Sequence, residues 1–412
     1  MKNHHFQLFF FLLIPCTLFL TPIHAQTWQP VGGYGTDWPD SLTNSLYDYT
    51  SGRISQPVNA LCVYNNKLYA AGSFIKVAKL KANHIACWDG KKWDTLTSGT
   101  DGKVRALTVY RNMLCVGGCF FKAGRKIVNS VAFWIDTANT VNGWRLASDG
   151  FKREVAGIHI SYEKGVSGKE ELESDKVYDL CVYNDTLYAC GWLGIGKVAK
   201  WKPVRGWRGI SDKIMMLIDG KEEMHEPGIP ASMQPYKNKL YLGNDPTFSG
   251  SNKMQAWNDT IYREVKDDGR IFGQVFAVVD SLLYASRWDR DGTFGFSAWD
   301  GKQWSMLYKT KANAPILSMI KYRNRLYIGG GFDSINGKKI RGVAVWSGQD
   351  WESVGEGLSV SDKLHGVVTS LCEYKGDLYA AGMFYRSGKT PLQNIARLSF
   401  NGQKVPPKRK VK

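Results

Sequence analysis

The stretch Leu61-Cys62-Val63-Tyr64-Asn65-Asn66-Lys67-Leu68-Tyr69 decides the fold. An apolar run ending in tyrosine, a two-residue polar pair and a second run opening Leu-Tyr describe two strands joined by a tight hairpin. The same arrangement recurs along the chain. With Leu68 as anchor, its equivalents are Leu114, Leu187, Leu240, Leu283, Leu326 and Leu378, spaced by 46, 73, 53, 43, 43 and 52 residues. Four residues before the anchor stands Tyr64, Tyr110, Tyr183, Tyr236, Tyr322 or Tyr374, with Val279 the exception. Seven before it stands an apolar residue every time: Leu61, Leu107, Leu180, Met233, Phe276, Met319 and Leu371. Four beyond it is Gly72, Gly118, Gly191, Gly330 or Gly382, read as the place where the second strand ends and the chain bends.

A third strand then closes on Trp88, Trp134, Trp201, Trp257, Trp299 or Trp346, and a fourth opens on Trp93, Trp144, Trp207, Tyr262, Trp304 or Trp351. Four antiparallel strands repeated at this period are blades of a β-propeller. The seventh copy has a third strand at 394–399 but no aromatic to open a fourth. The motif Trp28-Gln29-Pro30-Val31-Gly32 matches Trp351-Glu352-Ser353-Val354-Gly355. The expected fold is therefore all-β: a seven-bladed β-propeller whose N-terminal strand completes the last blade and protects an otherwise open edge.

Composition agrees with this reading. Of 412 residues, 43% are hydrophobic and 22% charged, which excludes a largely disordered chain, and 43 Gly, 15 Trp and 20 Tyr suit many short strands and turns. Residues 1–25 combine Lys2, an apolar run over 6–20 and a small residue at Ala25. That layout predicts a secretory signal peptide cleaved after Ala25, the run being shorter than the ~20 residues of a spanning helix. The expected organisation is 1–25 signal, 26–403 propeller and 404–412 a basic disordered tail. The expected address is extracellular or periplasmic, with no transmembrane anchor in the mature chain. Seven cysteines follow Cys16 without a CxxC pair, and Cys62, Cys181 and Cys372 share one repeat position, the behaviour of small core residues.

The run Leu68-Tyr69-Ala70-Ala71-Gly72, followed by Ile85-Ala86-Cys87-Trp88-Asp89-Gly90-Lys91-Lys92-Trp93, resembles the kelch type of propeller repeat. It is similar above all to exported propeller proteins of Bacteroidetes, most of which have no assigned activity. The resemblance covers residues 26–403 and implies the fold rather than a reaction. A full glycine pair ending at the bend occurs only at Gly117-Gly118 and Gly329-Gly330, and copies four and five carry Asn244 and Arg287 there.

Chemistry-bearing motifs are scarce. His84, His159, His225 and His365 form no HxH or HxxxH pair, so no metal ligand, cofactor or catalytic residue is assigned. Asp289-Arg290-Asp291-Gly292-Thr293 lacks the remaining carboxylates of a calcium loop and reads as a solvated turn. Twelve tryptophans belong to the repeat, leaving Trp38, Trp192 and Trp288 outside it.

Loop charge is the better clue. The second-to-third-strand loops hold 15 basic and four acidic residues, a net +11. Lys76, Lys79, Lys81, Lys122, Arg125, Lys126, Lys338, Lys339, Arg341, Arg386 and Lys389 carry most of it, on copies 6, 7, 1 and 2, which are consecutive in a closed ring. Inserts 151–176 and 211–232 are expected on the same face and are slightly acidic. The function expected is a monomeric, non-catalytic binding module or scaffold for an anionic polysaccharide or acidic surface protein. The alternatives are a propeller hydrolase or lyase acting on extracellular glycans, with acid and base converging from different blades, or a structural part of a surface complex. Nucleic acid is not expected, because the basic loops lack interleaved aromatics for base stacking.

Overall fold

Each predicted hairpin turn has positive φ at both central residues, as in Asn65-Asn66 (46° and 58°), Arg111-Asn112 (45° and 56°) and Asn184-Asp185 (47° and 49°). These are type I′ turns, whose twist matches that of the strands they join. All seven copies carry one, the others being Lys237-Asn238, Asp280-Ser281, Arg323-Asn324 and Lys375-Gly376. The computed structural model describes residues 26–32, 47–48, 53–54, 58–136, 143–146, 161–164, 170–173, 176–193, 196–203, 205–210, 214–218, 221–225, 228–244, 254–258, 262–265, 271–306 and 310–400. The expected signal peptide, the basic tail and Trp38 lie outside the described residues.

Seven small antiparallel sheets make a seven-bladed β-propeller. Blade 1 runs through Val58–Tyr64, Lys67–Gly72, Ile85–Trp88 and Trp93–Thr95, and the later blades repeat this order. The last blade is completed by the N-terminus: Gln26–Pro30 pairs with Ile395–Phe400, with Gln26 opposite Phe400 and Pro30 opposite Ala396. Closure is thus a backbone ladder between the two ends of the described chain.

The core is divided among the joints. Seven apolar clusters each combine residues of two adjacent blades, so every blade contributes its two faces to two clusters. Polar bolts reinforce them. The tyrosine four before the anchor donates its hydroxyl to the second turn residue of the next blade: Tyr64 to Asn112 O (2.8 Å), Tyr110 to Asp185 O (3.0 Å), Tyr183 to Asn238 O (2.7 Å) and Tyr236 to Ser281 O (2.9 Å). Tyr322 to Gly376 O (2.7 Å) and Tyr374 to Asn66 O (2.9 Å) continue the ring. Outer-strand indoles do the same at the rim. Trp28 Nε1 donates to Val354 O (3.1 Å), Trp93 Nε1 to Val31 O (3.0 Å) and Trp144 Nε1 to Leu96 O (3.0 Å).

Near the axis, short side chains staple neighbouring inner strands. Ser370 Oγ accepts from Leu61 N (3.2 Å), Ser318 Oγ from Leu371 N (2.9 Å) and Asp179 Oδ2 from Met233 N (2.7 Å).

One sequence reading is refined and another changes. The recurring glycines end the second strand in blades 1, 2 and 6, as read, and those at Gly118 and Gly330 also approach the inner strand closely. In blades 3 and 7 the second strand continues past them, as Thr186–Leu193 and Asp377–Met383. In five blades the glycine faces the residue that precedes a β-bulge of the inner strand, as Val104 faces Gly118 and Val368 faces Gly382. A Cβ on Gly118 would stand 2.2 Å from the Lys103 carbonyl oxygen, and one on Gly382 2.0 Å from that of Val367. A Cβ at either place would force the backbone to shift, whereas blade 4 carries Asn244 at the same register position, opposite Pro230 before its own bulge. The reading that changes is that of the insert 211–232. Its strands Ile214–Ile218 and Lys221–His225 extend blade 4 outward, the first pairing in parallel with Tyr262–Glu264 through Met215 and Arg263. The Glu222-Glu223 segment is therefore carried to the outer edge of blade 4 and off the loop face where the sequence placed it.

Candidate functional site: the basic loop face

The second-to-third-strand loops of blades 1, 2, 6 and 7 fold as miniature hairpins of one design. Lys76–Val77 pairs with Leu80–Lys81, Lys122–Ala123 with Lys126–Ile127, Ser334–Ile335 with Lys338–Lys339, and Arg386–Ser387 with Thr390–Pro391. Their two-residue turns use positive φ at Ala78, Gly124, Asn336-Gly337 or Gly388. Such short hairpins are not stable alone. They are held from below by a buried phenylalanine, Phe74, Phe120, Phe332 or Phe384, and by a buried second residue, Val77, Ala123, Ile335 or Ser387.

The backbone repeats the same closure in each. His84 N donates to Phe74 O, Ser130 N to Phe120 O, Gly342 N to Phe332 O and Asn394 N to Phe384 O, at 2.7–2.9 Å. Three of the hairpins also dock on the segment entering their blade. Thr100 bridges to Ala123, Ala312 to Ile335 and Ser359 to Arg386. Asp101 Oδ1 accepts from Phe121 N (2.8 Å) and Lys122 N (2.7 Å), and Asn313 Oδ1 from Asp333 N and Ser334 N (both 3.1 Å). The loops thus stand as fixed ridges.

The eleven basic residues picked out from sequence all lie on or beside these ridges, in two groups. Three are engaged. Lys338 pairs with Asp350 at 2.8 Å, Arg386 with Asp362 at 3.1 Å, and Arg341 donates to the Asp362 carbonyl at 2.9 Å. Lys338, helped by Asn336, holds the Asp350 carboxyl down to about 2. By contrast, Lys79, Lys81, Lys122, Arg125, Lys126, Lys339 and Lys389 make no ion pair among the described residues, and all but the half-buried Lys126 are exposed. Lys76 is exposed on the first ridge.

Blade 5 shows the opposite pattern. Arg287 pairs with Asp289 at 2.7 Å, and Asp291 with Lys311 of the segment entering blade 6 at 2.7 Å, so both loop carboxylates are engaged while Arg290 stays exposed. The Asp289–Thr293 segment is a turn, closed by Asp289 N on Thr293 O (2.8 Å), with Asp291 capping Thr293. Of the two described tryptophans outside the repeat, Trp288 is 47% exposed and stacks on Phe294 (5.7 Å, 9°), and Trp192 is 54% exposed. Trp192 lies on blade 3 and Trp288 on blade 5, where Phe294 is joined through Ala312 to Ile335 of the blade 6 hairpin.

Sequence reasoning missed the phenylalanines. The signal was present: Phe stands six residues after the anchor in copies 1, 2, 6 and 7, where the others have Leu193, Pro246 and Asp289. Inside the channel, the inner strands' described carboxylates are Asp179 and Glu373. Asp179 is used as a staple, accepting from Leu180 N (2.8 Å) and Met233 N (2.7 Å), while Glu373 is exposed near the end of its strand. The described cysteines are free thiols, and burial pushes Cys62 up to about 11 and Cys372 up to about 12. Among the described residues no three His, Cys, Asp or Glu side chains come together. No family model matches the chain, and no curated protein matches it.

Proposed function

We propose that the chain is an exported, non-catalytic binding module or scaffold that docks an anionic polysaccharide along the ridges of blades 6, 7, 1 and 2. A propeller is a rigid platform compatible with such a role. The observation that carries the proposal is the construction of the four hairpins. Each is anchored by a buried phenylalanine, and together they hold seven cations that no described carboxylate neutralises. Four ridges repeating around the ring suit a polymer with periodic charge better than a compact ligand. Electrostatic attraction of this kind weakens with salt.

The test replaces Lys122, Arg125 and Lys126 together by Gln and compares retention on a heparin column with the parent chain. Loss of three rim cations is expected to weaken binding roughly tenfold, each contributing about 0.5 kcal/mol. The matching change of Lys91, Lys92 and Lys302, exposed at the third-to-fourth-strand turns of the opposite face, leaves retention unchanged. Equal effects of the two triple variants would reduce the arc to general surface charge. An acidic protein surface is the alternative partner, and it predicts co-purification of a protein in place of glycan retention.

A further inference from the structure

Six of the seven joints are bolted by tyrosine, and the joint between blades 5 and 6 is not. The residue after the tyrosine is often a cation lying over its ring, as Arg111, Lys237, Arg323 and Lys375 do at 5.1–5.3 Å. In blade 5 this pair is replaced by Val279-Asp280. Val279 packs in the apolar cluster shared by blades 5 and 6 but carries no hydroxyl, so the Asn324 carbonyl, the counterpart of Asn112, Asp185 or Gly376, receives no tyrosine hydroxyl. Asp280 turns instead to Lys321 across the joint.

A cleft of about 180 Å³ opens here, between Val279 and Asp280 on one side and Asn324, Arg325, Leu326 and Trp346 on the other. It lies on the face opposite the basic ridges, where the type I′ turns emerge.

We propose that this cleft is a binding site for one phenolic ring. The ring would occupy the place of the absent tyrosine, against Val279, Leu326 and the Trp346 indole, with its hydroxyl donating to the Asn324 carbonyl. The size is right for one ring. A cavity of about 150 Å³ accepts benzene, whereas drug-sized ligands need roughly 300–1,000 Å³. The chemistry is specified by the protein itself, because six phenols already make this contact at the other joints. The ring could arrive as a free small phenol or as a tyrosyl side chain of another protein.

Saturation-transfer NMR on the full chain with p-cresol as probe tests the site, with N-acetyl-tyrosinamide as a second arm. Binding of p-cresol alone identifies a small-phenol site, and binding of both identifies one that also admits a tyrosyl side chain. Toluene, which lacks the donor, is expected to bind on the order of fivefold more weakly. Val279→Tyr fills the cleft and Val279→Phe blocks it without the hydroxyl, so signal from p-cresol disappears in both. Conversely, Tyr322→Val opens a like cleft at the next joint, and p-cresol is expected to raise the lowered melting temperature of that variant. No binding to the parent chain, undiminished binding in both Val279 variants, or equal binding of toluene would each overturn the proposal.

Discussion

Replacing Trp28 by Ala strikes the ring where its two ends meet. Trp28 is 1% exposed, packs in the cluster shared by blades 6 and 7, and donates its indole N–H to Val354 O at 3.1 Å. Truncating a fully buried Trp to Ala costs about 3–5 kcal/mol. For a domain of this size the unfolding entropy is about 0.8 kcal/mol per kelvin, so the melting temperature should fall by about 4–6 °C. Trp192→Ala is the control: that side chain is 54% exposed, and its removal should move the midpoint by less than about 1 °C. A chain beginning at Thr36 loses the whole Gln26–Pro30 strand and the Val31 carbonyl that accepts from Trp93, and should melt well below one beginning at Gln26. Differential scanning calorimetry reads all three. A Trp28→Ala protein melting with the parent, or equal midpoints for the two start sites, would refute closure by the N-terminal strand.

Three further outcomes follow from single positions. Tyr322→Phe removes the hydroxyl bonded to Gly376 O at 2.7 Å and should cost about 1 kcal/mol in urea unfolding; no change would mean that the bolts are ornamental. Gly118→Ala drives a Cβ to 2.2 Å from the Lys103 carbonyl oxygen, so a loss of about 1–3 kcal/mol is expected, and a neutral result would contradict the close-approach explanation. Burial holds His84 below its ordinary pKa, so below about pH 6.5 the unfolded chain binds more protons at this site than the folded one. Stability should therefore fall as pH drops through about 6.5 towards the lowered folded value. His84→Ser, which installs the type of residue that Ser130 provides at the matching place in blade 2, should flatten that decline; parallel curves for the two proteins between pH 7.5 and 5.5 would refute it.

Much of the architecture was legible because a propeller repeats one physical solution. The tyrosine, the anchor leucine and the paired tryptophans recur since six of the seven joints use the same bolt and all use similar packing. The match of Trp28 to Trp351 carried enough information to place a strand 326 residues away from its indole's acceptor. Other features were present but open to misreading. The glycines declare close approach only once the bulge opposite them is seen, as with Val104 opposite Gly118. The outward hairpin on blade 4 belongs to no repeat, and its parallel contact rests on one residue pair, Met215 with Arg263, which no periodicity encodes. The eleven cations were legible as charge, but their neutralisation was not. Lys338 and Lys339 are adjacent in sequence, yet only the first meets Asp350, because alternate residues of a strand point to opposite faces. Val279 was visible as the one departure among seven positions, and its consequence appears only when the next blade's turn is placed beside it.

A glycan array with the chain from Gln26 onward, read at low and at moderate salt, probes the basic arc itself. Selective binding to sulfated or uronate-rich glycans, weakening as salt rises, is expected. Binding confined to neutral glycans, salt-insensitive binding, or a blank array would contradict a basic arc built to hold an anionic polysaccharide.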